Sequence, residues 1–297
     1  MKPVRIALFA PGSNERVAAK ALEAAGVDAV ILDLEDSVAL GSKAAARGLV
    51  AGMIAAANTK PPGKPAVWVR ANGSATGLLN DDLAAIVREG LDAVMLPKAE
   101  SVEEVQALAR ELDRLEAAAG VKAGTVEVIL QIESALGVLR CFDLIKASPR
   151  VAGTCIGGAR DGDLQTDLGC GWSVEGTELM YARSKILLDT RAAGCSLPLD
   201  GVYSDISDEA GLIQDTKLSA RLGYVGRTVI HPKQIAPVRS AYAVPADQAV
   251  YYRRVVSEFA AAEKEGKAAI TIEGKLVDYA MFQRARRVLE WAALDGV

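Results

Sequence analysis

The chain has 297 residues, 51% of them hydrophobic and 24% charged, with a formal net charge of −4. That is enough apolar material for a large core, whereas the acidic balance and 5% aromatic content argue against a basic or base-stacking nucleic-acid surface. A single histidine, His231, excludes multi-histidine zinc or iron sites, so any metal is held mainly by oxygens, as Mg²⁺ is.

Four widely spaced cysteines, Cys141, Cys155, Cys170 and Cys195, form no C-x-x-C pair and are expected as reduced thiols of a cytoplasmic protein. The apolar run at the N-terminus is too short for a signal peptide. No stretch approaches the roughly 20 residues of a membrane span.

Arg5 to Ala10 reads as a first strand, and Pro11-Gly12-Ser13-Asn14 turns into a helix capped by Ser13 or Asn14 and closed by Gly26. Asp28 to Asp33 is a second strand ending in three acids, Asp33, Glu35 and Asp36. A helix over about 42–56 and a Pro61-Pro62-Gly63 link lead to a third strand, Ala66–Arg70. After a helix opened by Asn80 or Asp81, Asp92 to Lys98 is a fourth strand. Ser101-Val-Glu-Glu104 is a capping box opening a helix to about Ala119. Val126–Ile132 is a fifth strand delivering Glu133, followed by a helix over 135–146. Val151–Gly157 is a sixth, followed by a long insert, 160–176, and a helix over about 177–193. A weaker seventh strand (199–205) and an eighth (227–232) flank a helix over 208–222. Two further helices, about 245–266 and 276–294, are joined by Ile270-Thr-Ile-Glu-Gly274.

Eight strand–helix alternations predict an α/β fold, a (β/α)₈ TIM barrel over 1–244, with C-terminal helices over 245–297 as lid and oligomerisation segment. Active sites of such barrels lie at the C-terminal strand ends. Here those ends carry Asp33/Glu35/Asp36, Arg70, Lys98, Glu133, Asp161/Asp163, Asp205 and His231. Glu133 and one of the two later aspartates suit Mg²⁺ with positions open for substrate oxygens. Arg70 is placed to stabilise an enolate oxygen beside that metal, with an ion pair to Asp33 or Glu35 as the structural alternative. Lys98 reads as a structural partner of a strand-end acid. His231 reads as a cap to strand eight, Asp205 as a loop-organising acceptor and Cys155 as core.

Several blocks together resemble the citrate lyase beta-subunit-like branch of the HpcH/HpaI aldolases, relatives of malyl-CoA and citramalyl-CoA lyases. They are Pro11-Gly12-Ser13-x-x-Arg16, Leu32-Asp33-Leu34-Glu35-Asp36, Lys43-x-x-x-Arg47, Val69-Arg70-x-Asn72, Leu96-Pro97-Lys98, Gln131-Ile132-Glu133-Ser134, Ile230-His231-Pro232 and Gly274-Lys275-Leu276-Val277-Asp278. The resemblance implies that Glu133 and an aspartate ligate Mg²⁺ and that Arg70 stabilises an acyl-CoA enolate or binds the oxo acid. Glu35 and Asp36 join Arg70 as catalytic candidates. Arg16 and Lys20 would lie near coenzyme A phosphates, a solvated helix face being the equal alternative. Gly158 and Ala159 would line the substrate site. Asp278 would act as acid or base from a C-terminal lid in a neighbouring subunit, implying a homotrimer or hexamer.

The loop after strand six departs from the family pattern. Gly158-Ala159-Arg160-Asp161 fits from upstream and Asp163 to Gly169 from downstream, so two residues are inserted. The longer downstream match favours Asp163 as metal ligand, with Asp161 the alternative. The resemblance implies a Mg²⁺-dependent lyase that splits a 3-hydroxy-carboxyacyl-CoA (malyl, citramalyl or citryl) into an acyl-CoA and a 2-oxo acid. A pyruvate-type class II aldolase on free hydroxy-oxo acids, or a non-catalytic CoA-thioester-binding subunit, are the alternatives.

Overall fold

The computed structural model describes residues 3–58 and 63–294. The Pro61-Pro62 part of the link after the second helix lies outside the described residues. Eight parallel strands close into a barrel: β1 (Ile6–Pro11), β2 (Ala29–Asp33), β3 (Ala66–Arg70), β4 (Ala93–Leu96), β5 (Glu127–Ile132), β6 (Val151–Ile156), β7 (Leu197–Asp200) and β8 (Gly226–Val229). β8 returns to β1 through Ile6↔Arg227. β2, β4, β7 and β8 are buried along their whole length, as parallel strands covered on both faces require. The chain is thus the expected TIM barrel.

The outer helices are α1 (Glu15–Ala21), α2 (Lys43–Asn58), α3 (Leu79–Ile86), α4 (Val102–Ala119), α5 (Ala135–Lys146), α6 (Asp163–Leu168), α7 (Met180–Ala192), α8 (Glu209–Leu222) and α9 (Ile235–Tyr242). Their starts follow the caps. Asn14, not Ser13, caps α1 by accepting from the Val17 N–H at 3.1 Å. Ser101 and Glu104 form the reciprocal box of α4, and Ser134 accepts from Gly137 N–H at the head of α5.

One expectation about the barrel strands is corrected. The seventh strand is Leu197–Asp200 rather than 199–205, because Pro198 interrupts the strand signal while still pairing with Thr154, and the chain turns away at Gly201. The insert, for which the sequence predicts no element, folds in its middle as α6.

The chain divides into two compact units, the first ending at Ala241 and the second beginning at Tyr242. The second contains α10 (Ala246–Lys264), a hairpin of β9 (Ala269–Ile272) and β10 (Lys275–Asp278), and α11 (Tyr279–Leu294). The expected helix over 276–294 therefore begins three residues later, after a strand. Val255, Phe259, Ile272, Val277 and Ala285 form the unit's own core.

Candidate active site

Register sets the centre of the site. Asp33 on β2 pairs with Arg70 on β3, so their side chains leave adjacent strands on the same face. Arg70 Nε and Nη2 each donate to one oxygen of Asp33 at 2.8 Å, a two-pronged contact that only a guanidinium makes. Its Nη1 reaches Asp36 Oδ2 at 3.2 Å and lies 3.0 Å from Glu35 Oε2. The Phe9 ring lies 4.9 Å from the guanidinium carbon. Both the Arg70 ion pair and its place at a rim are therefore real features of one side chain.

Burial works against the Asp33 charge, yet Arg70 and the Ser37 and Glu35 N–H donors hold its carboxyl below the usual range. Glu35 is pushed up to about 7, first by burial and then by Asp36, Glu133 and Asp33, against the pull of Arg70. Below this loop Lys43 Nζ donates to the carbonyls of Leu34 and Glu35 and to Asn72 Oδ1, each at 2.7 Å. Asn72 is fixed in turn by Asp82.

Glu133 is buried behind β5. Its Oε1 accepts the Lys98 N–H at 3.0 Å and its Oε2 accepts Gln131 Nε2 at 2.6 Å. Burial pushes its carboxyl up to about 7, with Asp163 adding to the rise and Arg70, Gln131 and the Lys98 N–H opposing it. Gly157 gives it room: a Cβ there would overlap the Glu133 side chain, with Oε2 at 2.7 Å. Asp163 opens α6 and pairs through Oδ1 with Lys98 Nζ at 3.0 Å. Asp161 turns outward at φ +58°, its side chain 85% exposed.

Asp33, Asp36, Arg70, Gln131, Glu133 and Asp163 line one cavity of about 420 Å³ together with apolar Phe9, Ile156, Val202 and Ile230, whereas the expected catalytic Glu35 does not line it. Ala159 lines it; Gly158 and Asp161 do not. Arg16 and Lys20 are exposed on α1. Asp278 lies at the end of β10 in the second unit, where Oδ1 accepts the Met281 N–H at 2.9 Å. Asp205 organises its own loop by accepting from Ser207 and Asp208, and His231 Nδ1 accepts from the Lys233 N–H; neither lines the cavity. Cys155 is buried, but it also lines the cavity floor, and burial pushes its thiol up to about 12.

Gln131 and Lys43 stand within matching blocks of the sequence but carry no expected role. Gln131 on β5 stands two residues before Glu133, which immediately follows the strand, and that period-two spacing was the available signal.

Among the described residues no three His, Cys, Asp or Glu side chains converge as a complete metal cage. The donor set nonetheless fits a hard cation completed by substrate and water. Glu133 and Asp163 are among the carboxylates that line the cavity, and Gln131 Oε1 is a buried oxygen without a hydrogen-bond partner.

Residues 5–232 match the family described as HpcH/HpaI aldolase/citrate lyase, and residues 184–297 match the carbon–carbon bond lyases of the TIM-barrel fold. Citrate lyase subunit beta of Escherichia coli K12 is 36% identical over 99% of this chain and 94% of its own length. The L-malyl-CoA/beta-methylmalyl-CoA lyase of Cereibacter sphaeroides is 34% identical over 99% and 96%. The protein CitE of Mycobacterium tuberculosis, crystallised with magnesium, acetoacetate and coenzyme A, superposes with a TM-score of 0.75 at 32% identity, covering 98% of each chain. With the family match spanning the barrel and the relatives spanning both units, the chain belongs to the HpcH/HpaI aldolase/citrate lyase family of carbon–carbon lyases.

Proposed function

We propose that this chain is a Mg²⁺-dependent lyase that cleaves, or forms, a 3-hydroxy-carboxyacyl-CoA such as malyl-, citramalyl- or citryl-CoA. The observation that carries the reading is the Arg70 guanidinium, held by Asp33 on the wall of a cavity that also receives Glu133 and Asp163. Glu133 and Asp163 hold the metal, with Asp161 turned away from it. A cation held by these two carboxylates would supply Lewis-acid stabilisation of the negative charge that develops on the substrate's oxygens. Arg70 holds the thioester oxygen as it becomes enolate. Glu35 and Asp36, beside that guanidinium, receive the hydroxyl proton. The apolar wall of Phe9, Ile156, Val202 and Ile230 excludes water from the enolate.

Asp278 of the partner subunit protonates the enolate carbon, and Arg16 and Lys20 on α1 meet the coenzyme A phosphates. The chain works as a homotrimer or a multiple of it. Exposed Leu139, Tyr181 and Leu188 on the packed pair α5 and α7 supply apolar surface for that association. Four free cysteines fit the reducing cytoplasm.

The test is incubation with Mg²⁺, acetyl-CoA or propionyl-CoA and glyoxylate or pyruvate, read by mass spectrometry. A malyl- or citramalyl-type thioester that disappears with EDTA is expected. No adduct, with free hydroxy-oxo acids cleaved instead, would replace this reading with a pyruvate-type aldolase.

A further inference from the structure

Lys98 touches both acids of the proposed metal pair, and it does so with different atoms. Its backbone N–H donates to Glu133 Oε1 at 3.0 Å, while its ammonium pairs with Asp163 Oδ1 at 3.0 Å. The residue sits just beyond β4 at φ +50°, a left-handed conformation that a long L side chain rarely adopts. Strain of this kind persists where the surroundings demand it, and here it brings both contacts to one residue. The ammonium is also in the field of Glu133 and Glu35, so three carboxylates draw it to this position.

The two contacts differ in permanence. The N–H contact to a buried carboxylate does not depend on the side chain. The ammonium contact is between half-exposed groups, 50% and 43% accessible, and such pairs contribute little. A divalent cation drawing on both Glu133 and Asp163 gains far more from that oxygen than a single ammonium does.

We propose that Lys98 is an exchangeable counter-ion of the acid pair, its ammonium giving up Asp163 Oδ1 when a divalent cation takes it while its backbone N–H stays on Glu133. The inference rests on the reading of Glu133 and Asp163 as metal ligands. On this account Lys98 holds Asp163 turned toward Glu133, and it lowers metal affinity because every binding event must first displace it.

Two measurements test it without reference to turnover. Isothermal titration with Mg²⁺ compares the wild type with Lys98→Met, which keeps length and backbone conformation but removes the charge, and with Lys98→Arg, which keeps the charge. Lys98→Met is expected to bind Mg²⁺ about three- to tenfold tighter and Lys98→Arg within about twofold of wild type. Amine acetylation of the unaltered protein, mapped by mass spectrometry, is expected to rise at Lys98 when Mg²⁺ is added, because the freed ammonium loses its carboxylate partner. Equal or weaker Mg²⁺ binding by Lys98→Met, or acetylation that stays constant or falls, would overturn the proposal. If Lys98→Met fails to fold, the acetylation measurement decides alone. Absence of Mg²⁺ binding by the wild type would overturn the metal reading as well, and so distinguishes the two failures.

Discussion

Arg70 shows what a single residue contributes here. A lysine at this position retains the charge but cannot fork onto both oxygens of Asp33 while presenting a third nitrogen to the cavity. Arg70→Lys is expected to lower kcat by about 10²–10³-fold, with a smaller change in KM, in a steady-state assay of thioester cleavage. Glu133→Gln is expected to abolish Mg²⁺ binding and turnover together, and retention of both would remove Glu133 from the metal site. A different acid contributes to stability in a pH-dependent way. Burial raises the Glu116 carboxyl, but Arg150 and the Val126 and Gly124 N–H donors outweigh it and hold the group below its ordinary value of 4.5. Stability from this depressed acid is complete above 4.5 and is lost as pH falls through the folded value. Urea midpoints measured from pH 5 to pH 3 are therefore expected to fall more steeply for the wild type than for Glu116→Gln.

At the level of elements, strand ends were the legible part. Asp33, Arg70, Lys98 and Glu133 could be placed from apolar runs that stop at a charge, because a fully buried parallel strand leaves few other places for one. Three features were harder to read. Pro198 hid the start of β7. The hairpin of β9 and β10 was read as linker and helix because its turn is Glu273-Gly274, both at positive φ, rather than the Asn-Gly that announces such turns. The longer downstream match favoured Asp163 over Asp161, but which of the two lines the cavity depends on backbone direction in the loop, which spacing alone does not encode. The support beneath the acid loop was also hidden, since Lys43 is brought to Leu34, Glu35 and Asn72 only by folding. Lys43→Met removes three hydrogen bonds and leaves the buried Asn72 Oδ1 without its ammonium donor, while Leu34 O and Glu35 O keep the Asn72 Nδ2 and Val38 N–H donors; it is expected to cost about 1–3 kcal/mol in chemical denaturation. Gly157→Ala is expected to fold yet lose on the order of 10²-fold in activity, because the added methyl displaces Glu133.

For the whole molecule, the question is why a barrel that carries its own cavity is followed by a second unit with its own core. The proposed answer is that Asp278 serves a neighbouring copy. Asp278 already caps α11 through one oxygen, which fixes its carboxylate while leaving the other oxygen uncommitted to that bond. Asp278→Ala and Arg70→Ala are each expected to be inactive alone. Mixed after gentle dissociation and reassociation, they are expected to regain activity, because some sites then combine an intact arginine with an intact aspartate. A mixture that stays inactive, with mixed oligomers demonstrated by native mass spectrometry, would show that Asp278 does not serve a neighbouring copy, and an active Asp278→Ala would place it outside the reaction.

The in-register pairing of Asp33 with Arg70 carries a practical consequence. A slip of one residue between β2 and β3 would send the guanidinium to the opposite face of the sheet. A chain that collapses into a compact but misregistered barrel would show normal helix content and no turnover. Specific activity after refolding thus counts the barrels closed in the correct register, a quantity that circular dichroism cannot report.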